Sequence, residues 1–208
     1  MSQYFTIHPE NPPLRLIRKA AEIIHQGGVV IYPTDSTYAI GCHMGDVQAI
    51  NRIARIRRFD AKHHFTVLCP DLSAIANYAR ISNGVFRMLK SHTPGPYTFI
   101  LKATSEVPRK LHHPKRKTIG IRVPDNKILQ ALLVELGQPM MTSTLQMPDD
   151  DGPINDPEEI KQRLGSQVDL IIDGGMGGML PTTVIDLVDE TPTIVRQGCG
   201  DSEPFYYA

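Results

Sequence analysis

Residues 27–42 read GGVVIYPTDSTYAIGC. The β-branched and aromatic run VVIY is a buried strand stopped by Pro33, and TYAIGC (37–42) makes a second short strand. Thr34, Asp35, Ser36 and Thr37 stand between them. Taken alone they read as Ser/Thr turn bonds. The alternative is a polar site for a small ligand at the end of a buried strand.

Upstream, Leu14, Ile17, Ala21 and Ile24 recur at helical spacing, and Gly27-Gly28 end that helix. Downstream, Val47, Ile50 and Ile53 mark a helix running toward Arg58, followed by the strand FTVLC (65–69). Asp71 and Asn83 are expected to cap two more helices. TPGP (93–96) is a turn before the strand YTFILKA, and TIGIRV (118–123) alternates as a strand. Asp125 is expected to cap the helix of Ile128, Leu129, Leu132, Leu133 and Leu136, closed by Gly137. PMMTST (139–144) is a strand. Asp156, Pro157 and Glu159 start a helix. VDLIID, TTVIDLV and PTIVR are late strands, and PDDDGPINDP (148–157) reads as a mobile loop. Helices and strands interleave without strict alternation. The expectation is a single-domain α/β fold, a twisted mixed β-sheet flanked by helices, at residues 14–200 with extensions at 1–13 and 201–208.

The chain has 208 residues, 41% of them apolar, which suffices for a core. No apolar run reaches membrane-spanning length, and the start MSQYFTIHPENPP is not a signal peptide. Cys42, Cys69 and Cys199 are too scattered for a disulfide framework or a zinc site, which fits the cytoplasm. The net charge is zero, yet residues 1–123 hold 18 Lys+Arg against 7 Asp+Glu, and residues 124–208 hold 4 against 15. Such a split fits an anionic partner, or two parts of one fold that attract each other.

Arg52, Arg55, Arg57 and Arg58 crowd seven residues, and Lys62, His63 and His64 follow. Guanidinium groups grip phosphate in fork geometry. A solvated helix face is the alternative. In TIGIRV, Thr118, Gly120 and Arg122 share one face, with room beside the glycine for a ligand. The turn before it, His112, His113, Lys115, Arg116 and Lys117, reads as a phosphate contact or a basic surface hairpin. DGGMGGMLPTTVID (173–186) has four glycines, but Pro181 and a strand follow where a phosphate cradle needs a helix, so it reads as a turn. No metal site is expected.

In order, GGVVIYPTDSTYAIGC, RRFDAKHHFTVLC, TPGPYTFIL, TIGIRVPD, MMTST, DLIIDGG, TTVIDL and IVRQG resemble the YrdC/YciO family, most closely its YciO branch. The resemblance implies a twisted α/β fold with a basic concave face that binds ATP or AMP and structured RNA such as tRNA or duplex RNA. Active members are threonylcarbamoyl-AMP synthases, which use L-threonine, bicarbonate and ATP, the last with magnesium as substrate, in tRNA modification. No tightly bound cofactor is implied. By resemblance Thr34, Arg122, Ser143 and Thr183 line the threonine pocket. Arg58, Lys62, Thr118 and Arg196 hold the nucleotide, and Arg52, Arg55, Arg57, Lys115, Arg116 and Lys117 meet RNA or phosphate. The active branch carries Lys-x-Arg in the basic motif and Ser-x-Asn after it. Here no lysine fits, and Leu145 stands in the asparagine's place. The implied activity is therefore binding, with weak or absent synthase chemistry. A working synthase is the alternative.

Overall fold

The computed structural model describes residues 2–58, 65–113, 115–189 and 191–206. Strands are β1 (Gln3–Thr6), β2 (Val30–Tyr32), β3 (Ala39–His43), β4 (Thr66–Leu68), β5 (Ala79–Arg80) and β6 (Tyr97–Ala103), then β7 (Thr118–Arg122), β8 (Met140–Thr144), β9 (Leu170–Asp173), β10 (Thr183–Asp186) and β11 (Thr193–Arg196). Helices are α1 (Leu14–His25), α2 (Val47–Arg57), α3 (Leu72–Tyr78), α4 (Asn83–His92), α5 (Lys127–Leu136) and α6 (Pro157–Leu164). The strands form one mixed sheet in the order β1-β9-β2-β3-β8-β4-β7-β6-β10-β11, with β5 on β6.

The expected helices and strands form, with small shifts at the caps. Asp46 and Asp71 cap α2 and α3 through their carboxylates. Ser82, not Asn83, caps α4, and Asn126, not Asp125, caps α5 by accepting from Leu129 N. Gly137 closes α5 in the left-handed region. Both presumed extensions are packed. β1 pairs in parallel with β9, Phe5 and Ile7 are buried, and Ser202 and Phe205 are buried at the other end. The loop at 148–157 is tied down: Asp149 meets Arg58, Asp150 meets Arg163, and Ile154 is buried with its N–H on Leu145 O.

The two sheet faces are covered unequally. On one, α2, α3, α4 and α6 cover the width of the sheet from Ile171 through Ile40, Val67 and Ile121 to Phe99. On the other, α1 and α5 pack over Phe5, Ile172, Leu170, Val30, Tyr32, Ala39, Met140 and Leu68. Beyond Leu68 no helix among the described residues covers that face, and the open half becomes a hollow. Two glycines shape it. A Cβ on Gly41 would come within 2.3 Å of the Tyr32 hydroxyl, which donates to Thr142 Oγ1 at 2.8 Å. A Cβ on Gly120 would come within 2.9 Å of Thr66 Oγ1 and fill the hollow's floor.

The charge split closes largely within the fold, because acidic-half strands lie among basic-half strands. Arg18–Glu135, Arg52–Asp169, Arg58–Asp149, Arg116–Asp186 and Lys127–Glu10 all cross between the two parts. No described helix is long and apolar enough to cross a membrane.

Candidate functional site

The hollow is a cavity of about 750 Å³ over β3, β4, β6, β7, β8, β10 and β11. That lies within the range of small-molecule sites, about 300–1,000 Å³. The sheet register sets its floor. Thr142 stands opposite Thr66, Thr66 opposite Gly120, Gly120 opposite Ile100, and Ile100 opposite Asp186. One row thus runs hydroxyl, hydroxyl, glycine, aliphatic, carboxylate across five strands.

Beside Gly120 sits Arg122, one of the few buried charged residues. Its Nη2 pairs with Asp35 and reaches Thr34 Oγ1 at 3.2 Å and Ser36 Oγ at 3.1 Å. Asp35 in turn accepts from Asp125 N at 3.0 Å. Thr34 donates to Thr37 O at 2.6 Å and shares a bond with Ser36. The polar loop between β2 and β3 is therefore both things its sequence allowed, a set of turn bonds and a holder for a cavity arginine. Arg122 Nε is buried and has no hydrogen-bond partner among the described residues. A buried donor left unmet is costly, so the site is suited to an acceptor from outside the chain.

Arg57, Arg116 and Arg196 also line the cavity, with Thr118 and Ser143. Burial pushes the Arg57 guanidinium down to about 10, with the Asp150 carboxylate opposing the shift. Arg196 donates to Thr182 O at 2.9 Å. The arginines make the hollow a basic concave face, whose described wall holds a single carboxylate, Asp186. Among the described residues no group of three His, Cys, Asp or Glu is placed to hold a metal.

Of the residues marked from the sequence, Arg122, Ser143, Thr118, Arg196, Arg57 and Arg116 line this one cavity, and Thr34 stands against Arg122. Four others stand apart from the cavity wall. Thr183 is fully buried away from the cavity, its Oγ1 donating to Gly200 O and accepting from Gly198 N. Thr182 takes the cavity position, because strand side chains alternate and Val184 and Asp186 share its face. Arg58 leaves the helix in the left-handed region at φ 49° and pairs with exposed Asp149, so Arg57 reaches the cavity in its place. Arg52 is a structural bridge, donating twice to Gln167 O and once to Asp169 at 2.6 Å. Leu145 lies in the core behind the sheet, fully buried, so its position offers the cavity no side chain. The next residue, Gln146, lines the cavity instead. Arg55, Lys115 and Lys117 are exposed and lie outside the cavity wall. Lys62 lies outside the described residues.

Sequence reasoning missed Thr66, Thr98, Thr142, Thr182 and Asp186 as cavity groups. Alternation along β4, β6, β8 and β10 sets their common face. Which face stays uncovered depends on where α1 and α5 stop, and no local pattern states that.

The Sua5/YciO/YrdC family model, whose description reads telomere recombination, matches residues 22–198. YciO of Escherichia coli (strain K12) is 57% identical over 205 residues, covering 99% of this chain and 100% of that protein. The crystal structure of E. coli YciO superposes with a TM-score of 0.95 at 56% identity, over 99% of this chain and 100% of the other. A threonylcarbamoyl-AMP synthase of Halorhodospira halophila (strain DSM 244 / SL1) is 27% identical over 191 residues, 91% of this chain and 93% of that one. P. abyssi Sua5 complexed with L-threonine shares the fold, with a TM-score of 0.87 at 24% identity over 95% of this chain and 58% of that chain. A family model over most of the chain and a full-length relative at this identity leave one conclusion: the chain belongs to the Sua5/YciO/YrdC family.

Proposed function

We propose that the cavity binds ATP beside a small hydroxy-amino acid of the L-threonine kind, in a cytoplasmic nucleotide- and RNA-binding protein whose synthase chemistry is weak. The observation that carries this reading is Arg122. It is buried, held by Asp35, Thr34 and Ser36, and its Nε has no acceptor among the described residues. An amino-acid carboxylate supplies that acceptor, and the neighbouring hydroxyls orient the rest of the molecule. The complex of P. abyssi Sua5 with L-threonine supports the choice.

The reaction of the synthase relatives places clear demands on such a cavity. The threonine amine and bicarbonate condense to a carbamate and water. A carbamate oxygen then attacks the α-phosphorus, and pyrophosphate leaves. Arg57 and Arg196 are disposed to hold the phosphates and offset the charge that develops. ATP would bring its own magnesium. Two features argue for slow chemistry. No lysine stands where the active branch has one: the position falls on Arg55 or Ile56, and neither matches a lysine in shape and donor geometry. The asparagine position is a core leucine. Lys115 and Lys117, exposed beside the cavity residues Arg116 and Thr118, are the basic groups suited to an RNA backbone.

A working synthase is the second reading, favoured by the hydroxyls and arginines gathered in one cavity. Pyrophosphate release from ATP, with and without threonine and bicarbonate, separates the two. The expected result is ATP binding with threonine-dependent release at least about tenfold slower than the Halorhodospira enzyme assayed beside it, a barrier difference of about 1.4 kcal/mol or more. Equal rates would establish the second reading. Absence of ATP binding would overturn both.

A further inference from the structure

We propose that Asp186 accepts a ribose hydroxyl of the bound nucleotide and makes the cavity selective for ribonucleotides over deoxyribonucleotides; this rests on the nucleotide reading above. Asp186 is the one carboxylate among the described residues of a cavity wall that also holds four arginines. Phosphates carry negative charge and accept hydrogen bonds, so a carboxylate beside them repels. It fits a part of the ligand that donates. In a nucleoside triphosphate those parts are the ribose hydroxyls and, on adenine, the amino group.

Position selects the ribose. Asp186 closes the row Thr142, Thr66, Gly120, Ile100, Asp186 across the cavity floor. Neighbouring strands lie about 4.8 Å apart, so Asp186 stands about 10 Å from Gly120, two strands away. Arg122, which would hold the amino-acid carboxylate, follows Gly120 by two residues on β7. The distance between the two ends accommodates a carbamoyl group and one phosphate over Gly120, where no side chain intrudes. The ribose then falls at Asp186. Ile100, Leu111, Val184 and Val195 line the same end and suit the faces of a base.

The carboxylate is fixed before any ligand arrives. Its Oδ1 accepts from Val188 N at 3.0 Å, and its Oδ2 meets Arg116 Nη2 at 2.7 Å. An ionised carboxylate has about four acceptor sites, so two contacts leave room for a hydroxyl. Arg116 holds the group from the turn before β7 and keeps it from swinging toward solvent.

The test is calorimetric titration of the full chain with ATP, 2′-deoxyATP and 3′-deoxyATP, for the wild type and Asp186→Ala. The wild type should bind ATP about tenfold tighter than the analogue lacking the hydroxyl that Asp186 accepts, the worth of one hydrogen bond to a charged group. Folded Asp186→Ala, checked by circular dichroism, should bind ATP no better than that analogue. Its affinity for the analogue should change by less than about twofold, which a purely structural role through Arg116 would not produce. If the wild type binds ATP and both analogues equally, the inference falls while the nucleotide reading stands. Preference for ATP that persists in Asp186→Ala also overturns it. If ATP does not bind at all, both fall. Should Asp186→Ala not fold, Asp186→Asn, which keeps the shape and loses the charge, takes its place: it should lose most of the preference for ATP over that analogue, and an unchanged preference overturns the proposal.

Discussion

Arg122 and Asp35 form an ion pair in which each side chain is more than nine-tenths buried. The two come from separate strand ends, β7 and the loop after β2, and the pair joins them under the cavity. Removing one partner of such a pair strands a buried charge. Asp35→Ala should therefore cost about 3–5 kcal/mol of stability, far more than a surface substitution. It should also remove threonine-dependent pyrophosphate release, because Arg122 loses its anchor. Urea unfolding measures the first effect. A loss within about 0.5 kcal/mol would show that the pair does not hold the loop.

Leu145→Asn should not restore synthase activity. Restoring the family's asparagine looks attractive on sequence alone. The structure puts this side chain in the fully buried core behind β8. An amide there has no place in the cavity and loses its solvation without a designed partner. The expected outcome is a loss of about 2–5 kcal/mol and no gain in pyrophosphate release. A folded variant with a clear gain in rate would show that the residue reaches the cavity.

The elements were legible where spacing or cap chemistry was unambiguous, as in α1, α5 and the alternating β7. Shifts arose where two adjacent residues share the same chemistry. Ser82 and Asn83 can both cap, Asp125 and Asn126 can both cap, and Thr182 and Thr183 can both offer a hydroxyl. Local sequence cannot choose between such neighbours; the wider fold fixes the choice. Strand β1 stayed hidden because it is four residues long and its partner β9 begins at Leu170. The arginine cluster divided for a similar reason. Its members share charge, but one faces the cavity, one leaves the helix at its end, and one bridges to the loop before β9.

Gly120→Ala should weaken ATP binding with a smaller effect on the fold. The added Cβ would sit 2.9 Å from Thr66 Oγ1 and 3.2 Å from Thr98 Cγ2, on the cavity floor. The hydroxyl of Thr66 can rotate, so the sheet can absorb the methyl, but a phosphate above it cannot approach as closely. Affinity for ATP should fall about tenfold or more, read by calorimetry. Unchanged affinity would remove the phosphate from Gly120.

The three thiols should divide two to one. Burial pushes Cys42 and Cys69 up to about 12, while Cys199 is exposed. Partial desolvation raises the Cys199 thiol as well, but it is exposed, so a thiol reagent at pH 8 should modify Cys199 in the native protein and the other two only on unfolding. The same shifts contribute to the alkaline limb of stability, with the buried Tyr32 and Tyr38 hydroxyls, also raised by burial, acting in the same direction and the lowered Arg57 opposing. The unfolded chain ionises these thiols near their ordinary value and the native chain does not, so the native state binds more protons in that window. Stability should hold below about pH 8.5 and fall by a few kcal/mol between there and pH 12. Stability that rises across this range would contradict the burial of both thiols.

RNA binding should depend on Lys115 and Lys117 and not on Arg52. All three lie in the basic part of the sequence, but their surroundings differ. Arg52 spends its guanidinium on Gln167 O and Asp169, whose carboxylate also accepts from Val29 N at 2.7 Å. Arg52→Ala should therefore lower thermal stability and leave RNA affinity within about twofold of wild type. Lys115 and Lys117 are exposed beside Arg116, at the cavity's edge. Replacing both with alanine should weaken binding to duplex RNA about equally across sequences. It should also flatten the dependence of affinity on salt, since each lost phosphate contact releases about one counterion fewer. Filter binding at several salt concentrations reads both quantities at once. A salt slope that drops for Arg52→Ala and stays fixed for the double lysine variant would move the RNA surface from the cavity's edge to the α2 side of the molecule.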